Sequence, residues 1–418
     1  MLTRNDLELM APVGSRECLA AAIAGGADSV YFGVGKLNMR AHSAGDFSLG
    51  DLRDIAARCR DHGLKSYLAV NTIIYDEDME PMRELVDAAR EAGISAVIAS
   101  DVAVMSHCRH IGLEVHLSTQ LNISNVEALR FYARFADVAV LARELSLWQV
   151  KAIHEAIERE HICGPGGRPV RIEMFCHGAL CMAVSGKCYL SLHQAGRSAN
   201  RGECVQVCRR GYEATDLETG AQLNIDNKYI LSPKDLKTVR FVDLMAHAGV
   251  RVFKIEGRAR GPEYVATVVK AYDEALRAAA EGTLQSDPER LERLDRQLAT
   301  VFNRGFWDGY YQGARLGEWS DVYGSRATEQ KVFCGRCMKY FSRLGVAEFL
   351  ITGEPLKGGD KVLITGPTTG ALTCTATEVW LDAGPAPLAP RGSYASIKVP
   401  DKVRPADKLY ILRPRSLA

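Results

Sequence analysis

Short apolar runs rich in β-branched residues alternate with segments of helical periodicity along most of this chain. The runs cover Leu7–Ala11, Ser29–Gly33, Lys65–Asn71, Ala96–Ser100, Glu114–Thr119, Val138–Arg143, Arg171–His177 and Val252–Gly257. Strands that alternate with helices pair in parallel through right-handed crossovers. Eight such strands predict an α/β fold with a closed, TIM-like (β/α)8 barrel, and an open doubly wound sheet is the alternative.

Polar or glycine-containing turns follow the predicted strands, as at Ser118–Gln120 and Cys176–Gly178. Strand termination and helix capping account for Ser, Asn and Gly at such positions. They do not account for Arg143, or for Glu256 together with Arg258. Because barrel enzymes build their active sites at the carboxyl ends of the strands, the sequence predicts a functional site at this mouth of the barrel.

Two segments extend beyond a plain barrel. A long insertion separates the seventh predicted strand from the eighth, and it is far longer than one turn and one helix. From about Thr328 onward, short alternating runs between Gly and Pro turns predict a small antiparallel β-barrel. The predicted domains are therefore residues 1–327, a barrel with a Cys-rich insertion at 178–250, and residues 328–418, the β module.

Composition narrows the class of protein. The 418 residues carry a formal net charge of +1, which disfavours a globally basic nucleic-acid-binding surface. The chain starts without a basic segment followed by an apolar one, and no apolar run has the length of a membrane span. We therefore expect a cytoplasmic protein without a membrane partner, whose 12 Cys are reduced thiols available for metal binding or catalysis.

Four of the cysteines fall within the insertion, in the pattern Cys181-x6-Cys188-x15-Cys204-x3-Cys208. Four thiolates in one loop-rich segment suit an all-cysteine iron–sulfur cluster or a structural zinc ion. Structural zinc sites favour pairs two to four residues apart, which only the second half of the pattern provides. The spacing thus leaves three interpretations open: a cluster, a zinc site, and unrelated buried thiols.

Other cysteines carry weaker signals. Cys176 is either a spare ligand or a small buried residue at the barrel rim. The Cys334-x2-Cys337 pair invites a redox or metal interpretation, but no second pair accompanies it, and packing is the alternative.

Arginines adjoin the cysteines in the insertion, among them Arg197 and Arg201. Guanidinium groups can hold a phosphate or carboxylate through two parallel hydrogen bonds, although a solvated face would look the same in sequence. Hydrolase signatures are incomplete, because the His154-Glu155 string has Glu158 where a zinc protease needs a second His.

Several segments together resemble peptidase family U-32, over nearly the whole chain. They are Glu8–Gly14, Gly25–Tyr31, His177–Cys181, Ser185–Cys188, Asn200–Cys204, Cys208-Arg209 and Lys254–Arg258. The family is named for collagenase-like peptidase activity. Several members resemble oxygen-independent hydroxylation proteins, which modify a tRNA wobble uridine with prephenate, a cytidine of 23S rRNA, or ubiquinone precursors.

The resemblance implies a 4Fe–4S cluster held by Cys181, Cys188, Cys204 and Cys208. The ubiquinone branch takes its fourth ligand well downstream of the third, whereas this chain has no Cys between Cys208 and Cys334. The resemblance therefore favours the RNA-hydroxylation branches, with tRNA or ribosomal RNA as the partner.

The combined prediction is an iron–sulfur RNA-hydroxylation protein. Arg197 and Arg201 would hold a small dicarboxylate such as prephenate, or an RNA phosphate. Glu256 and Arg258 would complete the pocket, and His177 would transfer a proton. The β module would help to grip RNA, and assembly as a homo- or hetero-oligomer is left open. The alternatives are a collagenase-like peptidase and a non-catalytic protein stabilised by zinc.

Overall fold

The computed structural model describes residues 2–42, 47–213, 215–221, 228–313 and 316–415. The strands up to Trp307 are Glu8–Pro12 (β1), Ser29–Gly33 (β2), Lys65–Val70 (β3), Ala96–Ala99 (β4), Glu114–Leu117 (β5), Val138–Val140 (β6), Arg171–Gly178 (β7), Asp235–Lys237 (β8), Val250–Ile255 (β9) and Phe306–Trp307 (β10). Strands β1 to β7 pair in parallel in chain order, and β9 pairs in parallel with both β7 and β1. The predicted closed eight-stranded barrel is confirmed.

The helices are Arg16–Gly25 (α1), Leu52–Asp61 (α2), Met79–Ala92 (α3), Val102–Ile111 (α4), Val126–Ala133 (α5), Leu147–Glu160 (α6), Leu190–Ala195 (α7), Val242–His247 (α8), Pro262–Ala280 (α9) and Pro288–Ala299 (α10). Local sequence sets several of their starts. Ser15, Asp101 and Asn125 cap α1, α4 and α5 by accepting hydrogen bonds from backbone N–H groups of the first turn.

The strand boundaries differ from the predicted ones by a few residues. Strand β6 ends at Val140 rather than Arg143, and the next residue, Leu141, forms an isolated parallel bridge with Ile123. The short strands β8 and β10 were not predicted. Strand β8 pairs antiparallel with the end of β7 at His177 and Gly178, and β10 adds to β8. They extend the sheet beyond the barrel at the mouth that carries the insertion.

Two hydrophobic layers hold the barrel together. The large outer core lies between the strands and the surrounding helices. A separate inner cluster fills the barrel itself, with the residues Met10, Tyr31, Tyr67, Ala96, Ile98, Val138 and Val252. Such filling makes the barrel a packed core rather than a channel, and leaves the strand ends to form the site.

The C-terminal region is antiparallel, as predicted. Its strands are Glu329–Phe341 (β11), Val346–Ile351 (β12), Leu356–Lys357 (β13), Lys361–Gly366 (β14), Gly370–Thr375 (β15), Val379–Leu381 (β16), Gly384–Ala386 (β17), Leu388–Ala389 (β18), Tyr394–Lys398 (β19) and Lys408–Pro414 (β20). Eight of them form one sheet around a hydrophobic cluster of their own, and β13 pairs with β18.

The β region packs directly on the barrel helices. At Gly370, where φ is +70°, a Cβ would approach the backbone nitrogen of Ala21 in α1 to 2.7 Å, so this contact requires glycine. Lys331 on β11 also pairs with Glu263 on α9, with 2.6 Å between Nζ and Oε1. Within the described residues, no helix combines the length and the apolar character needed to cross a membrane.

Candidate functional site

A cavity of about 220 Å³ lies at the carboxyl ends of the barrel strands. Its floor comes from strand residues such as Tyr31, Ala69, Phe175 and Lys254, and its wall comes from the Cys-rich insertion. The insertion thus covers the mouth where barrel enzymes place their chemistry.

The four cysteines of the insertion all line this cavity. They are Cys181, Cys188, Cys204 and Cys208, and all four are free thiols. Burial raises the pKa of Cys208, the charge of Arg209 opposes that shift, and the other three cysteines add to it. Among the described residues, however, no three His, Cys, Asp or Glu side chains already stand as a metal-binding group. The donor set fits an all-cysteine cluster, and the side chains would have to close around it.

Backbone contacts hold the insertion over the barrel. Gly202, with φ at +81°, lies so close to the loop after β2 that a Cβ would meet the carbonyl oxygen of Asn38 at 2.3 Å. The N–H of Ile73 donates to the carbonyl of Asn200 at 3.2 Å. Near the thiols, Ser191 on α7 accepts a hydrogen bond from Val205 and lies 3.9 Å from the sulfur of Cys204. These contacts bring α7, Cys204 and Cys208 to the cavity.

Positive charge dominates the cavity. The basic lining residues are Arg40, Arg143, Arg209, Lys254, Arg258, Arg260 and Arg304. Among the described lining residues, Glu256 is the one carboxylate, and the lining contains neither His nor Asp. An excess of fixed cations in a recessed site favours an anionic ligand.

Glu256 is a structural anion rather than a base. Its Oε1 accepts hydrogen bonds from Nε and Nη2 of Arg40 at 3.1 and 2.7 Å, and Tyr31 donates to Oε2 at 3.3 Å. Burial opposes its ionisation, but Arg40, Arg143 and Arg258 outweigh burial and lower its pKa to about 2. A carboxylate held ionised in this way accepts protons poorly near neutral pH.

Two arginines keep hydrogen-bonding capacity that no described residue uses. Arg258 donates from Nη1 to Asn38 at 3.0 Å, and Arg143 donates from Nη1 to the carbonyl of Ala179 at 3.3 Å. The Nε atoms of both are buried without a hydrogen-bond partner among the described residues. Arg143 also lies over the ring of Phe175, with 4.0 Å from Cζ to the centroid. An unpaired buried N–H donor is unfavourable, so a bound anion would satisfy these groups.

His177 is not in the cavity lining, although Glu256 and Arg258, predicted with it, are. It is buried between aromatic rings, and its Nδ1 lies 3.3 Å from the hydroxyl of Tyr272. Burial, with the charge of Lys237, lowers its pKa to about 3, so the ring is neutral. The structure therefore gives no support to its predicted role in proton transfer.

Arg197 and Arg201 also lie outside the cavity lining. Arg201 forms an ion pair with Asp78, donates to the carbonyl of Ile73 at 2.9 Å and lies over the ring of Tyr75. Arg197 lies 3.3 Å from the ring nitrogen of His42. Arg201 fastens the insertion to the barrel, and the cationic groups in the cavity are other residues.

Three further cysteines that the sequence singled out, Cys176, Cys334 and Cys337, are buried packing residues. Cys176 is fully buried on β7, points to the carbonyl of Lys254 and does not line the cavity. Cys334 and Cys337 lie on β11 within the second hydrophobic cluster. Burial raises the pKa of these two thiols to about 12 and about 11, so both stay protonated.

Sequence reasoning missed much of the cationic lining. Arg40 and Arg260 lie in turns after β2 and β9, and Arg304 lies just before β10. Lys254 carried a usable signal, because a lysine inside an apolar predicted strand has to face either a partner or a ligand. For Arg40 no such signal exists, since its place opposite Glu256 depends on a contact across 216 positions of sequence.

Comparison with known proteins places these residues in a family context. The family model described as "Peptidase family U32" matches residues 14–321. A protein named collagenase from Porphyromonas gingivalis W83 is 63% identical over 97% of this chain and 98% of its own length. The tRNA hydroxylation protein P1 of Bacillus subtilis 168 is 30% identical over 96% of this chain and 94% of its own length. A 23S rRNA 5-hydroxycytidine synthase of Escherichia coli K12 is 36% identical over 76% of this chain and 47% of its own.

Proposed function

The chain belongs to peptidase family U32, and from that premise we propose that it is an iron–sulfur RNA-hydroxylation protein. One observation carries the proposal: the four free thiols of the insertion and a strongly cationic set of side chains face one cavity. Relatives named for tRNA and 23S rRNA hydroxylation match most of the chain and support this assignment.

Cys181, Cys188, Cys204 and Cys208 are the proposed ligands of a 4Fe–4S cluster. When bound, such a cluster supplies electron transfer and a Lewis-acidic iron. The chain itself contributes the thiolates and the fold that brings them together. It also contributes aliphatic residues to the cavity wall beside the ligands.

The oxygen donor is proposed to be a small dicarboxylate such as prephenate. Arg143 and Arg258 would each offer a buried Nε–H that lacks a partner among the described residues. Charge-assisted hydrogen bonds of this kind are stronger and more directional than neutral ones. Arg40 would remain bound to Glu256, which keeps the latter ionised and fixes the geometry of the pocket.

RNA is the proposed acceptor, in a tRNA or in 23S rRNA. The near-neutral net charge of the chain means that attraction of the phosphates would come from the local charge around the cavity. A nucleotide would enter the cavity with its base splayed from the stack, as in other enzymes that modify bases. The antiparallel β region, which includes Lys357–Val362, would provide additional RNA contacts.

A collagenase-like peptidase is the second candidate, and the 63% identity to a protein named collagenase favours it. Peptide hydrolysis needs a nucleophile with a base, or a hydrolytic metal. The described lining contains Ser and Thr hydroxyls and Cys thiols but no His, and its one carboxylate is bound to Arg40. This arrangement provides neither a His nor a free carboxylate as general base for a serine- or cysteine-type mechanism.

Mass spectrometry of tRNA and rRNA nucleosides from a deletion strain tests the proposal. We expect one hydroxylated pyrimidine nucleoside to be lost and then restored by the wild-type gene. Unchanged RNA, together with gelatin cleavage by iron-free protein, would instead establish the peptidase. Zinc as the only bound metal and unchanged RNA would establish a structural zinc site.

A further inference from the structure

The barrel interior carries buried ionisable side chains that the proposed function does not use. Barrel interiors are ordinarily filled by bulky apolar residues. Here His116 on β5 and Glu173 on β7 are both 0% exposed, and Lys254 on β9 is 4% exposed. Burying a charge costs several kcal/mol unless it is well paired, so a row of such groups needs a structural or functional reason.

These side chains form a continuous series of contacts between two openings of the barrel. Lys254 lines the cavity at the carboxyl ends, and its Nζ donates to Oε1 of Glu173 at 2.7 Å. Oε2 of Glu173 lies 3.4 Å from Nδ1 of His116, whose Nε2 lies 3.4 Å from Oε1 of Glu114. Glu114 lines a second cavity of about 280 Å³ at the amino ends of the strands, and its side chain is 33% exposed.

The middle of the series has unused hydrogen-bonding capacity. Both ring nitrogens of His116 and Oε2 of Glu173 lack a hydrogen-bond partner among the described residues. Burial alone would lower the pKa of His116, but Glu114 and Glu173 on either side outweigh it and the pKa is raised. The other groups that face the ring are Tyr67, 4.3 Å away between ring centroids, and Glu8, to which Tyr67 donates at 2.6 Å.

We propose that His116 and Glu173 form a proton relay along the barrel axis, which connects solvent at Glu114 with Lys254 in the cavity. Lys254 gives a proton from Nζ to a group in the cavity and becomes a neutral amine. Glu173 takes a proton from Nδ1 of His116 and passes a proton to the Lys254 amine. His116 then takes up a proton from solvent at Nε2, through the Glu114 carboxylate. One proton thus moves from solvent to the cavity. His116 is left with its proton on Nε2, and reorientation of the ring restores the Nδ1–H form before the next transfer.

The relay supplies what the cavity lining lacks. Its one carboxylate, Glu256, is held ionised, and the described lining contains no His. Lys254 is a lining cation whose carboxylate partner leads through buried groups to a second opening. His116 and Glu173 act through Lys254, so they are positioning residues. The reaction that consumes the proton rests on the proposed function, whereas the proton path itself does not.

Proton exchange at His116 tests the path without any RNA. Full-length protein with [15N]histidine would be studied by NMR as wild type, as Glu114→Gln, and as Glu127→Gln, which makes the same change on the exposed outer face of α5. We expect the His116 ring signals to show fast exchange with solvent in the wild type and the control. In Glu114→Gln we expect slow exchange. Equal exchange in Glu114→Gln and wild type, or a His116 ring that never exchanges, would overturn the relay.

A second readout separates the relay from the proposed function. If the wild type hydroxylates RNA, Glu114→Gln should lower the rate about 100-fold and shift its pH profile, while Glu127→Gln leaves both unchanged. If the exchange result holds and no RNA is hydroxylated, the relay stands and the proposed function fails. If RNA is hydroxylated equally by both variants, the relay fails and the proposed function stands. His116→Gln is a further variant, but it carries a risk of misfolding because His116 is fully buried. Glu114→Gln avoids that risk because the Glu114 side chain is partly exposed.

Discussion

Replacing Glu256 by Gln should destabilise the protein by about 3 kcal/mol at neutral pH. The folded-state pKa of about 2, compared with 4.5 for an unperturbed Glu, corresponds to that amount at about 1.4 kcal/mol per pKa unit. Because the folded pKa is depressed, this stabilisation is fully present above pH 4.5 and is lost as the pH falls towards 2. The carboxylate is buried, so solvent screens its interactions little.

Urea unfolding followed by circular dichroism would measure the effect, with Glu127→Gln as the control. Glu127 has the same chemistry, but its side chain is 80% exposed and pairs with Arg130 at the surface, so we expect a change below about 1 kcal/mol. Replacing Glu256 and Arg40 together should be less harmful than Glu256→Gln alone, because the single variant leaves cations without their partner. If Glu256→Gln lowers the free energy of unfolding no more than the control does, the stabilising role assigned to the ionised Glu256 carboxylate is refuted.

Three further predictions concern the same mouth of the barrel. Arg143→Met should weaken the binding of prephenate by about 1–3 kcal/mol in titration calorimetry, and equal affinity would exclude Arg143 from the anion site. The wild type should lose stability between pH 6.5 and pH 5, because the folded pKa of His177, about 3, lies below the ordinary value of 6.5. In His177→Gln we expect that loss of unfolding free energy to be smaller by about 2 kcal/mol. An unchanged pH dependence in urea unfolding would contradict a neutral buried ring. Gly202→Ala should lower the iron content after anaerobic purification, since its Cβ would collide with Asn38, and full iron loading would show that the insertion tolerates the shift.

The fold was predictable because its signals are local. Each barrel strand is a short apolar run, and the order of strands and helices allows few topologies. The boundaries were less predictable, because the ends of strands depend on neighbours that are remote in sequence. Strand β6, for example, ends at Val140, and the next residue, Leu141, bridges to Ile123, 18 positions earlier in the chain.

The candidate site was predictable only in part. The cysteine spacing identified the wall of the cavity, and Arg143, Glu256 and Arg258 were marked because strand termination did not explain them. Arg197 and Arg201 of the insertion lie outside the cavity lining, because a guanidinium beside cysteines can equally pair with a group elsewhere in the fold. Arg201 does so with Asp78, a contact across 123 positions that no local pattern announces.

One incubation tests the central claim most directly. Purified, iron-loaded protein would be incubated anaerobically with prephenate and RNA from a deletion strain, and the nucleosides analysed by mass spectrometry. Cys208→Ser would be compared with Cys374→Ser, which alters a thiol of similar exposure in the β region. We predict a pyrimidine nucleoside heavier by one oxygen atom with the wild type and Cys374→Ser, and none with Cys208→Ser. No gain with the iron-loaded wild type, or an equal gain with Cys208→Ser, would contradict the account.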